Sequence, residues 1–425
     1  MTSHDAGAFT RRTCQVGIPK RRRPATSAFA RCGRAIWIGL TIAYACDADV
    51  SRSPADGVSA EDSAGVRIIR NVEPQASQGC PVIASKPLVE IRPSKAGETD
   101  APGLYRVRGA TVLSNRQIVI LNAGTQQLLY FSSAGTFLRS VGRAGEGPGE
   151  FRAPAWLGRG GGDTLFIWDD RLLRLSVFSG DGEFIESRKV VGHNEDLALS
   201  ISGRFEDGSF LLVPGPVVWI GSEEGVRRSP FAYQRYDPAT GQTTDLADGW
   251  SLETVVEDGT AYVLPFGDRE VAVPSRTALL VGDTGSPRIR YYDLEGRLVR
   301  IVEWASDRTP VTVADRQAFV RRAGQRLPSG GSGVRFSADR PRFSSIVTDS
   351  SGRIWVREFA SFGDSSPDWL LFDQVGILQC RVAMPVRVAV RQVGPDYMVG
   401  VRTDSLDVES VVLLAVATPR GPEKR

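Results

Sequence analysis

An aromatic residue, a polar turn, a glycine and a second β-rich run recur in that order five times along the chain. This internal repeat constrains the fold more than any single motif does. The copies are Phe131-Ser-Ser-Ala-Gly135, Phe178-Ser-Gly-Asp-Gly182, Tyr236-Asp-Pro-Ala-Thr-Gly241, Tyr292-Asp-Leu-Glu-Gly296 and Phe372-Asp-Gln-Val-Gly376. Each reads as a β-hairpin in which glycine supplies the positive φ of the turn and the aromatic ring packs on the face of its own sheet. A second hairpin lies upstream of each, most clearly Ile346-Val347, the turn Asp349-Ser-Ser-Gly352, and Ile354-Trp-Val356. Four short antiparallel strands per unit follow. The glycine spacings of 47, 59, 55 and 80 residues bracket the period of about 40 to 50 typical of propeller blades, with insertions in the longer ones.

A final unit is one strand short: Arg387 to Val390, the turn Gly394-Pro395-Asp396, Tyr397 to Val401, and Val411 to Val416. Two N-terminal runs, Val66 to Ile69 and Leu88 to Ile91, have no unit of their own. One of them is expected to supply the missing fourth strand and remove the exposed edge of an open repeat array. The expected fold is therefore all-β: a six-bladed β-propeller of four-stranded antiparallel blades, closed by an N-terminal strand. The 80-residue gap is explained by an insertion, in which Thr312 caps a helix starting at Val313 and residues 327–333 form a loop. An amphipathic partner helix and a short surface insertion both fit that segment.

Charge matters at the N-terminus. Residues 1–45 hold eight basic side chains against Asp5 alone, so the net charge of +3 belongs to that segment and the remainder carries −4. A nucleic-acid partner loses its support. Lys20-Arg-Arg-Arg23 precedes the apolar run Ala35 to Ala43 and then Tyr44-Ala45-Cys46, the order of a signal peptide. The apolar run is far shorter than the roughly 20 residues that span a bilayer. Cleavage after Ala45 fits both an ordinary signal peptidase and a loose lipoprotein box, in which Cys46 becomes the acylated first residue. The organisation expected is a signal peptide at 1–45, a polar flexible tether at 46–65, the propeller at 66–418 and a tail at 419–425. Export, periplasmic or at the cell surface, then leaves Cys80 and Cys380 as an even pair in an oxidising compartment, bonded as a disulfide or buried as thiols.

The segment Val281-Gly-Asp283-Thr-Gly-Ser-Pro-Arg288-Ile-Arg-Tyr-Tyr-Asp-Leu-Glu-Gly296-Arg-Leu-Val resembles an NHL-type repeat, and Gly142 to Phe151 resembles the glycine-rich passage between such blades. At blade level the chain is similar, from about Leu104 to Ala417, to bacterial six-bladed propellers of that kind. That resemblance implies a fold, export in many members, and no particular activity. The third and sixth units lack the Asp-x-Gly turn, which argues against a ligand site repeated in every blade. Gly142 to Phe151 is not followed by Lys-Ser/Thr or by a helix, so its glycines and Pro148 read as a tight crossover and not as a phosphate loop.

In a meander with strands a to d outward from the axis, loops b–c and the d-to-a crossovers leave one end. Here they are the longer, polar set and form the expected binding face. They place Asn122, Asp169, Arg171, His193, Asp283, Glu358 and Asp404 as candidate ligand contacts. His193-Asn-Glu-Asp196 lacks a second histidine and reads as a solvated loop, so no metal site is assigned. Asn122, Asp169, Asp283, Glu358 and Asp404 either serve their own turns or converge as acidic and amide oxygens do around Ca²⁺ in gluconolactonase-like propellers. No Gly-x-Ser-x-Gly elbow and no Ser/His/Asp set is present. The function expected is a non-catalytic binding or scaffold module for a protein, peptide or glycan, acting as a monomer without cofactor and touching membrane only through a lipid anchor. A Ca²⁺-dependent lactonase or esterase is the alternative.

Overall fold

The computed structural model describes residues 57–72, 74, 80–93, 103–192, 199–215, 223–323, 333–361, 366–385 and 387–417. The expected leader, Cys46 and His193 lie outside the described residues. Six antiparallel meanders follow one another along the chain. The first uses Val107–Val112, Ile118–Asn122, Gln127–Phe131 and Phe137–Val141. The second uses Pro154–Arg159, Leu165–Asp169, Arg174–Phe178 and Phe184–Lys189, and the third Leu199–Arg204, Phe210–Pro214, Pro230–Asp237 and Gln242–Trp250. The fourth uses Glu270–Pro274, Ala278–Asp283, Arg288–Asp293 and Leu298–Trp304, and the fifth Phe343–Thr348, Ile354–Glu358, Trp369–Phe372 and Leu378–Val382. Ala389–Val393, Tyr397–Thr403 and Glu409–Ala417 form the sixth.

The repeat seen in sequence is the c–d hairpin of each blade. Its glycine takes a positive φ in all five copies, from +72° at Gly241 to +96° at Gly376. The register slips at the aromatic itself in four of them, at Phe131, Phe178, Tyr292 and Phe372, a bulge that adds local twist to the outer strand. Apolar side chains on both faces of each inner strand pair then meet those of the next blade. The core is accordingly six clusters lying between blades and not one centre. Val119, Leu128, Tyr130, Ile167 and Phe178 fill the first such seam, for example, and Tyr397, Val399 and Leu413 pack with Val107 and Ile118 between the sixth blade and the first. Close approach of inner strands explains Gly109, where a Cβ would sit 2.6 Å from the Cβ of Leu157.

The N-terminal runs are placed differently from one another. Val89–Ile91 pairs antiparallel with Val411–Leu413, and Val82–Ile83 pairs with Val416–Ala417, at the outer edge of the sixth blade. Cys80 and Cys380 form a disulfide with Cα atoms 6.1 Å apart, which ties this segment to the fifth blade. Val66–Asn71 instead lies parallel to Leu298–Trp304 as a fifth strand of the fourth blade. Val58–Ser63 folds back on it through Ala64-Gly65, both at positive φ. Residues 57–65, expected as flexible tether, are therefore hairpin. Asn71 explains the docking: its amide donates to the carbonyls of Glu303 and Gly376, both at 3.0 Å, and accepts from the Leu378 N–H at 2.8 Å.

The insertion contains the helix Val313–Ala323. Thr312 and Asp315 cap it reciprocally, the Asp315 N–H on Thr312 Oγ1 at 3.2 Å and the Thr312 N–H on Asp315 Oδ2 at 2.8 Å. Arg340 grips the same carboxylate through Nε at 2.9 Å and Nη2 at 2.6 Å. Burial opposes the charge on Asp315, but the hydrogen bonds from Ser361, Arg340 and Thr312 outweigh it and hold the carboxyl far below its ordinary range.

Candidate functional site

Among the described residues, the sequence-predicted polar set Asn122, Asp169, Arg171, Asp283, Glu358 and Asp404 does share one end of the propeller, because each ends strand b of its blade or lies in the loop after it. Backbone groups and neighbouring arginines then engage their oxygens. Asn122, fully buried, donates to the Gly103 carbonyl and to Thr125 Oγ1 at 2.9 Å and accepts the Tyr105 N–H at 2.9 Å. Asp169, 1% exposed, accepts four backbone N–H groups, from Arg152, Ala153, Arg171 and Leu172. Asp404 caps its own turn at Leu406 and Val408. Asp283 accepts from Arg228 at 2.6 Å and from the Gly285 N–H, and Glu358 accepts from Arg381 at 3.0 Å. Burial raises the Glu358 carboxyl above its ordinary value, with Arg381 opposing. Arg171 is exposed beside Asp169. Backbone N–H groups of the loops take the oxygens of Asn122, Asp169 and Asp404, and arginines from other segments, Arg228 and Arg381, engage Asp283 and Glu358. Among the described residues no group of three or more His, Cys, Asp or Glu is arranged to hold a metal ion.

What that end of the molecule does contain is a cavity that the polar pattern did not reveal. A three-stranded sheet joins Gly225–Arg227, from the b–c loop of the third blade, to Thr254–Glu257 and Thr260–Val263, from the passage between the third and fourth blades. Asp258-Gly259 turns the second strand into the third with both residues at positive φ, and an Asp-Gly between β-rich runs is the signal from which this hairpin was readable. Together with the helix of the insertion, this sheet walls a cavity of about 550 Å³ lined by Leu252, Pro265, Phe266, Phe319, Phe343 and Phe359 among others. The volume lies within the usual range for small-ligand pockets.

Phe266 is the residue most deliberately placed there. Its φ is +60°, in a Pro265-Phe266 turn closed by the Gly267 N–H on the Leu264 carbonyl at 2.9 Å. Glycine or asparagine ordinarily occupies such a place, and an L side chain there costs on the order of 1 kcal/mol. The strained backbone aims the ring at Phe319, Phe336 and Phe359, with centroids 5.8, 6.3 and 6.0 Å away.

Next to this cavity sits Asp268. Burial pushes its carboxyl up to about 6, with Glu253 and Asp283 adding to the shift and Arg228 and Thr284 opposing it. It shares a smaller recess with Glu253, Arg308, Arg340 and Arg342. Asp268 has one weak side-chain donor, Thr284 Oγ1 at 3.4 Å, while Glu253 accepts the Asp268 N–H at 2.9 Å. Desolvation without a strong partner is what sets it apart from Asp169 and Asp404.

Comparisons with known proteins speak to the fold. The sequence profile of a family described as a 6-bladed beta-propeller matches residues 110–191, from the first blade to the end of the second. No curated protein matches. A member of the duf4221 family from Bacteroides vulgatus is similar in structure at 10% identity, covering 81% of this chain and all of the other with a TM-score of 0.50. A Bacteroides fragilis protein assigned as exported is similar at 13% identity over 83% of this chain and all of that one, TM-score 0.48. A gluconolactonase from Xanthomonas campestris is similar at 13% identity over 81% and 99%, TM-score 0.40. The family match speaks for the propeller fold, and the likeness to the Bacteroides vulgatus protein, at its low identity, speaks for fold and not for an activity.

Proposed function

We propose that this chain is an exported propeller that binds a peptide or protein through an apolar, aromatic-lined cavity on the b–c and d-to-a face. The observation that carries this reading is Phe266, which accepts backbone strain in order to complete a ring-lined cavity of about 550 Å³. Evolution retains such strain where a site needs it. The aromatic walls suit one or two apolar side chains of a peptide better than the hydroxyl-rich surface of a glycan. Selection from a random peptide library tests it. Peptides rich in Leu, Phe or Trp should be recovered and should lose binding to Phe319→Asp, which charges the cavity wall. Peptides with no apolar preference, or undiminished binding by that variant, refute the reading.

Two parts of the reading concern delivery and closure. The basic-apolar leader ending at Ala45 supports export with Cys46 as the acylated first residue, and a mass spectrum of membrane-extracted protein with an unmodified N-terminus near Met1 would refute it. The pairing of Val89–Ile91 on the sixth blade and the Cys80–Cys380 bond support a closing role for the N-terminal segment.

A further inference from the structure

The inner strands of all six blades surround an axial channel of about 570 Å³, and its lining has an unusual charge composition. Five arginines face it: Arg108, Arg204, Arg269, Arg357 and Arg391. Among the described residues no carboxylate lines it. Arg108 and Arg269 stand at the start of strand a in their blades, and Arg357 near the end of strand b in its own, so these three belong to the mouth on the b–c face. Arg204, at the end of its strand a, marks the opposite mouth.

The cations from the b–c mouth inward to Arg391, which stands midway along strand a of the sixth blade within the field of Arg108, are uncompensated. Arg269 donates to the Ser344 carbonyl at 3.0 Å, but no side-chain hydrogen bond or ion pair engages Arg108, Arg357 or Arg391 among the described residues. Glu409 is the carboxylate whose field reaches Arg391, and its Oε2 is already committed to the Val107 N–H at 2.8 Å. Arg391 is exposed to the solvent of the channel, with many protein groups of the surrounding blades close to it. Desolvation first, and then the charge of Arg108, pull it below its ordinary value. Arg357 is pulled down in the same way, by desolvation and by Arg387. Crowded like charges cost stability unless something of opposite sign joins them, and planar guanidinium groups are the side chains best matched to oxyanions.

We propose that the axial channel, from its b–c mouth inward to Arg391 midway along strand a of the sixth blade, is a binding site for a small oxyanion of two or more negative charges, held by Arg108, Arg357 and Arg391. The site is distinct from the apolar cavity, with which it shares only Arg269 and Ser344. Phosphate and carboxylate groups supply the same chemistry, and titration distinguishes them.

The mature chain is titrated calorimetrically with pyrophosphate and, separately, with citrate, ionic strength being held constant with sodium chloride. Saturable binding of either supports the site, and the tighter one names the group. Arg391→Gln and Arg357→Gln should each weaken binding at least tenfold. Because each removes a repelled charge, the anion-free variants should unfold at the wild-type midpoint or higher. Binding indistinguishable from that of chloride overturns the proposal. So does binding that survives both substitutions, or variants whose anion-free midpoint falls, since a falling midpoint means that these arginines brace the blades.

Discussion

Replacing Asp268 by asparagine changes the charge of a half-buried group while keeping its size. Its carboxyl titrates near 6 in the folded protein and near 3.8 when unfolded, so between those values the folded state binds the extra proton. Stability contributed by this group is then present below about pH 4 and is lost as pH rises through 6. The shift of roughly 2 units, at 1.36 kcal/mol each, sets a ceiling of about 3 kcal/mol above pH 7. The asparagine side chain is neutral at every pH, so urea unfolding should show the variant equal to wild type near pH 3.5 and more stable by about 1–3 kcal/mol at pH 8. Carboxylates held low elsewhere, Asp315 and Asp349 among them, act in the opposite sense but cancel in the difference between the two proteins. A difference that stays flat from pH 4 to 8, or an asparagine variant less stable at pH 8, refutes the account of Asp268 as a desolvated carboxyl with no adequate partner.

Glu270→Ala should cost about 3–5 kcal/mol in urea unfolding, because it strands Arg290 at 2.5 Å, the Tyr233 hydroxyl and the Trp250 N–H, and a loss under 1 kcal/mol would contradict that network. Gly109→Ala should cost about 1–3 kcal/mol by forcing Leu157 away from the first blade, and an unchanged midpoint would show that the inner strands have room to give. Phe266→Asn relieves the strain of φ +60° but gives up the ring contacts with Phe319, Phe336 and Phe359, so it should lower thermal stability less than Phe266→Ala does and should abolish capture of apolar peptides; retained capture refutes the role given to the ring. Deleting residues 66–91 removes the strand on the sixth blade, the fifth strand of the fourth blade and Cys80 together, so the unfolding midpoint must fall, and an unaltered one removes the closing role.

Hairpins, blade number and the end of the molecule that bears the long loops were legible in the sequence, because each rests on local rules. An aromatic at one end of a turn and a glycine at positive φ at the other carry their geometry wherever they occur, as Gly135, Gly182, Gly296 and Gly376 all show. The candidate site was legible only in position. Asn122, Asp169 and Asp404 sit where expected, yet their oxygens are taken by N–H groups of neighbouring loop residues, and a sequence does not display which donors a turn will leave unsatisfied. Edge pairing was likewise undetermined. Val66–Asn71 and Val89–Ile91 are equally strand-like, and the buried Asn71 amide, matched to carbonyls more than 200 residues away, is what assigns the first to the fourth blade. The two cavities belong wholly to tertiary structure. Phe266, Phe319 and Phe359 meet only after insertions from separate blades fold over one face, and Arg108, Arg357 and Arg391 become neighbours only when six inner strands surround one axis. Local propensity acts over a few residues, whereas the fields and contacts that make a site act across distances that only the completed fold sets.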